Sequence, residues 1–335
     1  MGANLQNPIF TDETKAREWL EARVWPEGPI CPHCGSHSDD VTKLEGSKHR
    51  PGLYQCNGCR EQFTVTVKTV FERSKIPLTK WLAALFLITA SKKGVSTHQI
   101  HRSLALPYKT AWFMMHRLRE ALRSGGLAPM GGTGQIAEID ETVIGRMEGA
   151  PKHTYQGYGQ QWRNVVMSLV TRGGSVRSFH IDGTTSGTML PIIRANLQNE
   201  TFVMTDEASW YRSLGDTFTR HEAVNHTAKE YVRREFTPVP GGVQILKITT
   251  NTVEGYFSIF FKRGMKGVYQ HCKEKHLHRY LAEFDFRYNM RTALGYTDLM
   301  RAELAAASIK GKRLTYRRPH KQSQIEAQNH INKGR

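Results

Sequence analysis

The sequence predicts a multidomain chain: a small four-cysteine zinc module, a helical block of helix-turn-helix type, a larger α/β region and a basic tail. Three observations lead there. Two C-x-x-C pairs lie in a Pro/Gly-rich stretch, apolar-periodic segments broken at Gly94 and Pro107 follow, and beyond a Gly-rich hinge β-branched runs take over. At 335 residues with 39% hydrophobic content, the chain is long enough for two or three domains with separate cores. The boundaries read as 1–75 (N-terminal helix and zinc ribbon), 76–124 (helical block), 125–135 (linker), 136–304 (α/β region) and 305–335 (tail).

Residues 11–24 read as an amphipathic helix capped by Thr11, with Trp19, Leu20 and Val24 facing inward. Cys31-Pro-His-Cys34 and Cys56-Asn-Gly-Cys59 then form two knuckles whose thiolates suit tetrahedral Zn²⁺. Four protein ligands leave no open position, so this zinc is structural. In TVTVKTVF, 64–71, polar and β-branched residues alternate, which predicts a strand.

Three helices are expected over 77–122. Thr79 caps the first, Ser96 the second, and Pro107 precedes the third, YKTAWFMMHRLREALR. That arrangement suits a helix-turn-helix whose third helix enters the DNA major groove. Lys109, Thr110, His116 and Arg117 are its candidate DNA contacts, while Phe113, Met114 and Leu118 read as core.

After RSGGLAPMGGTGQ the strands begin: 136–144, then NVVMSLVT and SVRSFHI joined as a hairpin across Arg172-Gly173-Gly174, and TFVMTD behind a helix near 188–197. From 227 onward helices are expected. Two carboxylates sit where burial is costly unless charge is compensated: Asp140 inside an apolar strand and Asp206 at a strand end. Glu254 opens the apolar helix ITTNTVEGYFSIFFKRG. If they converge, three such oxygen donors would hold Mg²⁺ or Mn²⁺ and support phosphodiester chemistry.

The 47 Lys and Arg against 30 Asp and Glu give a net charge of +17, which points to a polyanionic partner. No run reaches the roughly 20 uncharged apolar residues of a membrane span, and no secretory pattern opens the chain, so it reads as soluble, cytoplasmic and nucleoid-associated. The tail carries Lys310, Lys312, Arg313, Arg317, Arg318, Lys321, Lys333 and Arg335 against the single acid Glu326, and is expected to be disordered until it meets an anion.

Together CPHCGS, YQCNGCREQFTVTVKTVFERSKIPL, EIDETVIG, VMTDEASWY, VNHTAKEYV and NTVEGYFSIFFKRGMKGVYQHCKEKHLHRYLAEFDFRYNMR resemble the insertion-sequence 1595 family of DDE transposases with an N-terminal zinc ribbon. The likeness extends over residues 12–300. It implies a ribonuclease-H-like core with a mixed five-stranded sheet flanked by helices. It also implies two catalytic divalent ions, Mg²⁺ or Mn²⁺, nicking at element ends and joining of the freed 3′-hydroxyl to target DNA. A homodimer or larger assembly would synapse the ends.

The resemblance places the three acids at Asp140, Asp206 and Glu254. Because members vary at the third position, Asn251, one turn earlier, is a rival or auxiliary ligand, although an anionic oxygen suits a hard cation better. Lys262 matches the family's DNA-contacting lysine but follows the acid one residue late, through the doubled Phe260-Phe261. On a regular helix that rotates it by about 100°, so Arg263 substitutes for it, a bulge absorbs the residue, or this copy is impaired. Lys266, Arg146 and Lys152 are further phosphate candidates, and His226 reads either as a DNA contact or orienter of Asp206 or as a satisfied structural histidine. Two other functions fit the same residues: a zinc-ribbon transcription regulator with vestigial acids, and a nuclease of the same fold that cuts without joining.

Overall fold

A computed structural model describes residues 6–150, 162–240 and 242–315, apart from the side chains of Val239 and Phe260. The first helix, α1 (Glu13–Val24), is capped by Asp12, whose carboxylate accepts the N–H groups of Thr14 and Lys15; the predicted cap, Thr11, lies one residue too early. Beyond it, β1 (Val41–Leu44), β2 (Leu53–Cys56) and β3 (Gln62–Phe63) form a small antiparallel sheet. Trp25 packs edge-on against both Tyr54 and Phe63, a compact aromatic core for so short a sheet.

The strand expected over 64–71 is absent. Its alternation is that of successive turns: the Thr69 hydroxyl donates to the Thr66 carbonyl, and Lys68 adopts a positive φ of 53°. Threonine hydroxyls that bond their own backbone compete with a strand ladder.

The helical block comprises α2 (Leu78–Ala90), α3 (Thr97–Ser103) and α4 (Tyr108–Ala121). Ser96 caps α3 as expected, by accepting the Gln99 N–H. The cap of α2 comes from elsewhere. Glu13 of α1 accepts the N–H groups of Leu78 and Thr79 and the Thr79 hydroxyl, because Pro77 at the cap position has no side-chain acceptor.

Beyond residue 135 a mixed five-stranded sheet forms from β4 (Ile136–Ile144), β5 (Asn164–Thr171), β6 (Val176–Ile181), β7 (Phe202–Asp206) and β8 (Arg220–Val224), in the order β6-β5-β4-β7-β8. The first three strands are antiparallel, whereas β7 and β8 run parallel to β4. This is the ribonuclease-H-like arrangement. One face buries Ile139, Met167 and Leu169 under α5 (Ser186–Asn196). The other buries Val166 and Val170 beneath α6 (Asn251–Tyr256), its continuation to Tyr269, and α7 (Leu277–Asn289). Helix α7 also covers the edge strand: Val176 N–H donates to Asn289 and Ser178 N–H to Asp285, which removes donors that would otherwise invite another strand.

Two expectations after residue 227 are corrected. Residues 233–248 are not helical but form an antiparallel hairpin, β9 (Arg233–Val239) and β10 (Gly242–Ile248). Nor is the start of the tail loose. Helix α8 (Asp298–Ala307) packs on the N-terminal block, where Ala305, Ala306 and Ile309 are buried, while Lys312 Nζ donates to the Ala121 and Arg123 carbonyls and Arg313 pairs with Glu72. Three apolar positions among the cations suffice to dock it. The remaining tail cations, from Arg317, lie outside the described residues.

Helix α4 joins the two halves through a buried charge cluster. Arg119 donates to Glu283 of α7 at 2.6 Å, Arg287 and the Tyr269 hydroxyl contact the same carboxylate, and all three charged side chains are buried. Burial alone would raise the Glu283 carboxyl, but Arg287 and Arg119 outweigh it and hold it low. Gly94, at φ +95°, lies directly over the Tyr269 ring, where any Cβ would collide with the hydroxyl. Glu283→Ala leaves two buried guanidinium groups without their anion and is expected to lower stability by about 3–5 kcal/mol. Urea denaturation of the full chain checks this, and a midpoint shift no larger than that of an exposed control such as Glu18→Ala would show that the cluster is not the connection.

Candidate active site

The site begins with the way β4 is held. Glu138, Asp140 and Thr142 share one face of this strand by its period of two. Glu138 is fully buried, and its carboxylate accepts the N–H groups of Thr252 and Val253 together with the Thr252 hydroxyl. It therefore caps the N-terminus of α6, where an anion also complements the helix dipole. Arg172, in the tight turn between β5 and β6, completes the clamp: Nε donates to Glu138 at 2.6 Å, and the other nitrogens donate to the Lys247 and Thr249 carbonyls just ahead of α6. Strand β4 and the start of α6 are thus locked together from both sides.

Two residues past Glu138 on that face is Asp140. Strand β7 pairs with β4 so that Met204 lies beside Glu138, which brings Asp206, the last residue of β7, level with Asp140. One helical turn into α6 stands Glu254, half-exposed, accepting the Thr250 hydroxyl at 2.8 Å. The Asp140 carboxyl is pushed up to about 8, first by burial and then by the charges of Glu141, Asp206 and Glu254. Asp206 and Glu254 thus lie close enough for their charges to act on Asp140, while among the described residues only the four cysteines bring their ligand atoms within 4.8 Å of one another. Glu141, on the opposite face, receives the buried Tyr211 hydroxyl, and burial raises its carboxyl too. Carboxylate oxygens are the hard donors that Mg²⁺ or Mn²⁺ would take at such a site.

Other candidates fall differently. Asn251 is exposed at the start of α6. His226 lies 3.7 Å from Glu254 and 5.4 Å from the Tyr231 ring. Lys262, Arg263 and Lys266 are exposed. The helix beyond α6 widens into π turns over Phe257–Lys262 and again over Met265–Tyr269. Such turns absorb extra residues, so the helix does contain a bulge at the doubled phenylalanine. Lys152 lies outside the described residues.

On α4, Lys109 is exposed and Thr110 partly so, but His116 and Arg117 are buried. That corrects their assignment as DNA contacts. His116 stacks on Trp112 and His276, with burial lowering its basicity, and Arg117 donates to the Glu72 carbonyl at 2.7 Å. A basic run is a solvated face only if nothing packs on it, and here α7 and the 64–74 turns do.

Sequence reasoning missed Glu138, Arg172, Thr250 and Tyr211. The only available signal was the spacing Glu138-x-Asp140, which puts two carboxylates on one strand face.

Among the described residues, one group of side chains converges for a metal ion, the cysteine cluster. Cys31, Cys34, Cys56 and Cys59 have all four sulfurs within 4.8 Å of one another, with Cys31–Cys59 at 3.7 Å and Cys34–Cys56 at 3.6 Å. A tetrahedron with Zn–S bonds of about 2.3 Å has edges of about 3.8 Å, so the cluster is positioned for one zinc ion. Each knuckle ends on a left-handed residue four places after its first cysteine, Gly35 (φ 86°) and Arg60 (φ 62°).

Removal of zinc by a strong chelator is expected to abolish the folded signal of the ribbon, because metal binding and folding are coupled there; unchanged near-ultraviolet dichroism from Trp25 would contradict this. Asp140 gives a pH test. Its folded pKa is raised above 3.8 to about 8, so the stability it contributes is complete below pH 4 and is lost as the pH climbs to 8. Asp140→Asn removes that loss. With zinc retained and magnesium omitted, the variant should melt progressively higher than the parent as pH rises from 5 to 9, and magnesium should narrow the gap; parallel melting profiles would refute it.

Two comparisons with known proteins bear on this geometry. Residues 11–62 match the transposase zinc-ribbon domain and residues 132–289 match the ISXO2-like transposase domain, both of the insertion-sequence 1595 type. A relative from Halobacterium salinarum, described as an uncharacterized protein in transposable element ISH50, is 29% identical over 238 residues, covering 67% of this chain and 77% of the relative. With the cysteine ribbon, the five-stranded mixed sheet and both domain matches in one chain, the protein carries the zinc-ribbon and transposase domains of the insertion-sequence 1595 type.

Proposed function

We propose that the chain binds the ends of its insertion sequence and carries out metal-dependent strand cleavage followed by joining to target DNA. The observation that carries the reading is the Asp140 carboxyl raised by burial beside Asp206 and Glu254, an arrangement that calls for a multivalent cation. Asp140, Asp206 and Glu254 would hold two Mg²⁺ or Mn²⁺ ions, which when bound would supply Lewis acidity and activation of a water or a 3′-hydroxyl. The chain's own groups do the rest. Glu138, Arg172 and the Thr250 hydroxyl orient the α6 carboxylate against the two strand carboxylates, and Tyr211 keeps Glu141 turned away from them. Glu254 is the better third ligand than Asn251, since it already adds to the charge that raises Asp140.

In this reading residues 136–304, apart from the start of α8 that packs on the N-terminal block, form the catalytic domain, and the 125–135 linker connects it to the zinc ribbon and helical block, which recognise the element end. Lys109 and Thr110 at the exposed start of α4 remain as contacts there, with Lys262, Arg263 and Lys266 along the DNA near the reaction. Two copies or more synapse the ends, and the DNA-bound protein is nucleoid-associated.

Incubation with a labelled element end, a plasmid and magnesium separates the candidates. Covalent joining supports a transposase, scission alone a nuclease, and binding without scission a regulator. Asp206→Asn is expected to reduce joining by at least a thousandfold while element-end affinity holds within a few fold, because it removes charge from the cluster without touching the recognition block. Affinity lost together with joining would make Asp206 structural.

A further inference from the structure

The β9–β10 hairpin is unusual among the described elements because neither strand joins another sheet. Its register sets Phe236 opposite Ile245, Pro238 opposite Val243 and Arg234 opposite Lys247. Alternate residues of a strand share a face, so these six side chains make one surface. Phe236 is 64% exposed, Val243 58% and Ile245 51%, an apolar face of a size that soluble proteins usually cover. The other face is occupied at its base: Leu246 and Ile248 pack with Met204 and Val224, Arg233 pairs with Glu222 and Glu230, and Glu235 pairs with Arg220. The hairpin is therefore anchored by one side and presents the other.

Charge selects the occupant. The outward face holds Arg234 and Lys247 and no acid, and among the described residues neither cation is in an ion pair. A second copy meeting this face on itself would set cations around an apolar patch that offers them no partner. A DNA duplex supplies phosphates to the two cations and base edges and sugars to the apolar tip, and a two-stranded ribbon fits a groove. Position agrees with this. Strand β10 runs into Thr249 and Thr250 beside Glu254, and its Lys247 carbonyl is held by the same Arg172 that clamps Glu138.

We infer that the β9–β10 hairpin is a DNA-contacting ribbon that grips duplex next to the acid cluster, with Arg234 and Lys247 on phosphates and Phe236, Ile245 and Val243 against the bases. This rests on the proposed function for its location, but its test does not depend on catalysis. Binding of the full-length zinc-loaded chain to a fluorescein-labelled duplex, taken from the DNA flanking the reading frame, is followed by fluorescence anisotropy with magnesium omitted.

Phe236→Ser with Ile245→Ser is expected to weaken binding roughly tenfold, through the apolar contact with base edges and sugars that is lost, with the salt dependence unchanged. Arg234→Gln with Lys247→Gln should weaken binding and reduce the slope of log K against log salt by about two. Both pairs are solvent-exposed and should leave the melting temperature in place. Should the serine pair nonetheless misfold, the glutamine pair and its salt slope decide alone.

Unchanged affinity and slope overturn the inference. So does a serine pair that leaves DNA binding intact but converts a sedimenting dimer to monomer, which would make this face a contact between copies. A chain whose hairpin variants bind DNA weakly yet whose parent never cuts DNA would retain the inference and lose the proposed function; joining activity with indifferent hairpin variants would do the opposite.

Discussion

The geometry of the acid cluster depends on one buried carboxylate. Glu138 has no exposure, yet it receives two backbone N–H groups, a threonine hydroxyl and an arginine, which satisfies the acceptors that burial would otherwise leave costly. Without it the first turn of α6 would present unpartnered donors to the sheet, and the helix would lose its fixed angle to β4. Since Glu254 is one turn along that helix and Asp140 two residues along that strand, the separation of the two follows from a single capping interaction.

A second buried carboxylate acts at longer range. Glu283 sits between Arg119 of the helical block and Arg287 of its own helix, and Tyr269, at the end of the π-helical segment, bonds the same group. The N-terminal block is thereby attached to the layer that covers the sheet beneath α6. Helix α8 reinforces this by crossing back to bury Ala305, Ala306 and Ile309 among α1 and α2. The face of α4 that carries His116 and Arg119 is occupied by this junction and Arg117 lies against the turn at Glu72, so of its basic residues Lys109 at the start stays exposed.

Much of the fold was legible in advance because it rests on local rules. The two C-x-x-C knuckles, the Ser96 cap, the Gly173-Gly174 hairpin turn and the β-branched run of β5 each follow from spacing or propensity within a few residues. The reading failed where a local pattern had two outcomes. TVTVKTVF alternates as a strand does, but its threonines bond their own backbone instead. The 233–248 hairpin carries a Pro-Gly-Gly turn and an alternating VQILKI, yet it was overlooked among helices. His116 and Arg117 read as DNA contacts because nothing in sequence reveals that the segment around His276 and Tyr280 covers the one and the turn at Glu72 the other. Of the site, Asp140, Asp206 and Glu254 could be selected individually, whereas Glu138 and Arg172 could not, since each acts through partners far along the chain.

The sequence alone determined the chemistry available: four soft thiolates for zinc, hard carboxylates at strand ends and a helix start, and an excess of cations for a polyanion. Those are properties of residue type and short spacing. Only the tertiary structure decided which groups meet. The convergence of Asp140 with Asp206 needs the parallel pairing of β4 with β7, the approach of Glu254 needs Glu138 and Arg172, and the exposure of the β9–β10 face needs the body to take up its other side. Each is a contact between residues tens of positions apart, fixed by burial and hydrogen-bond satisfaction rather than by any pattern readable along the chain.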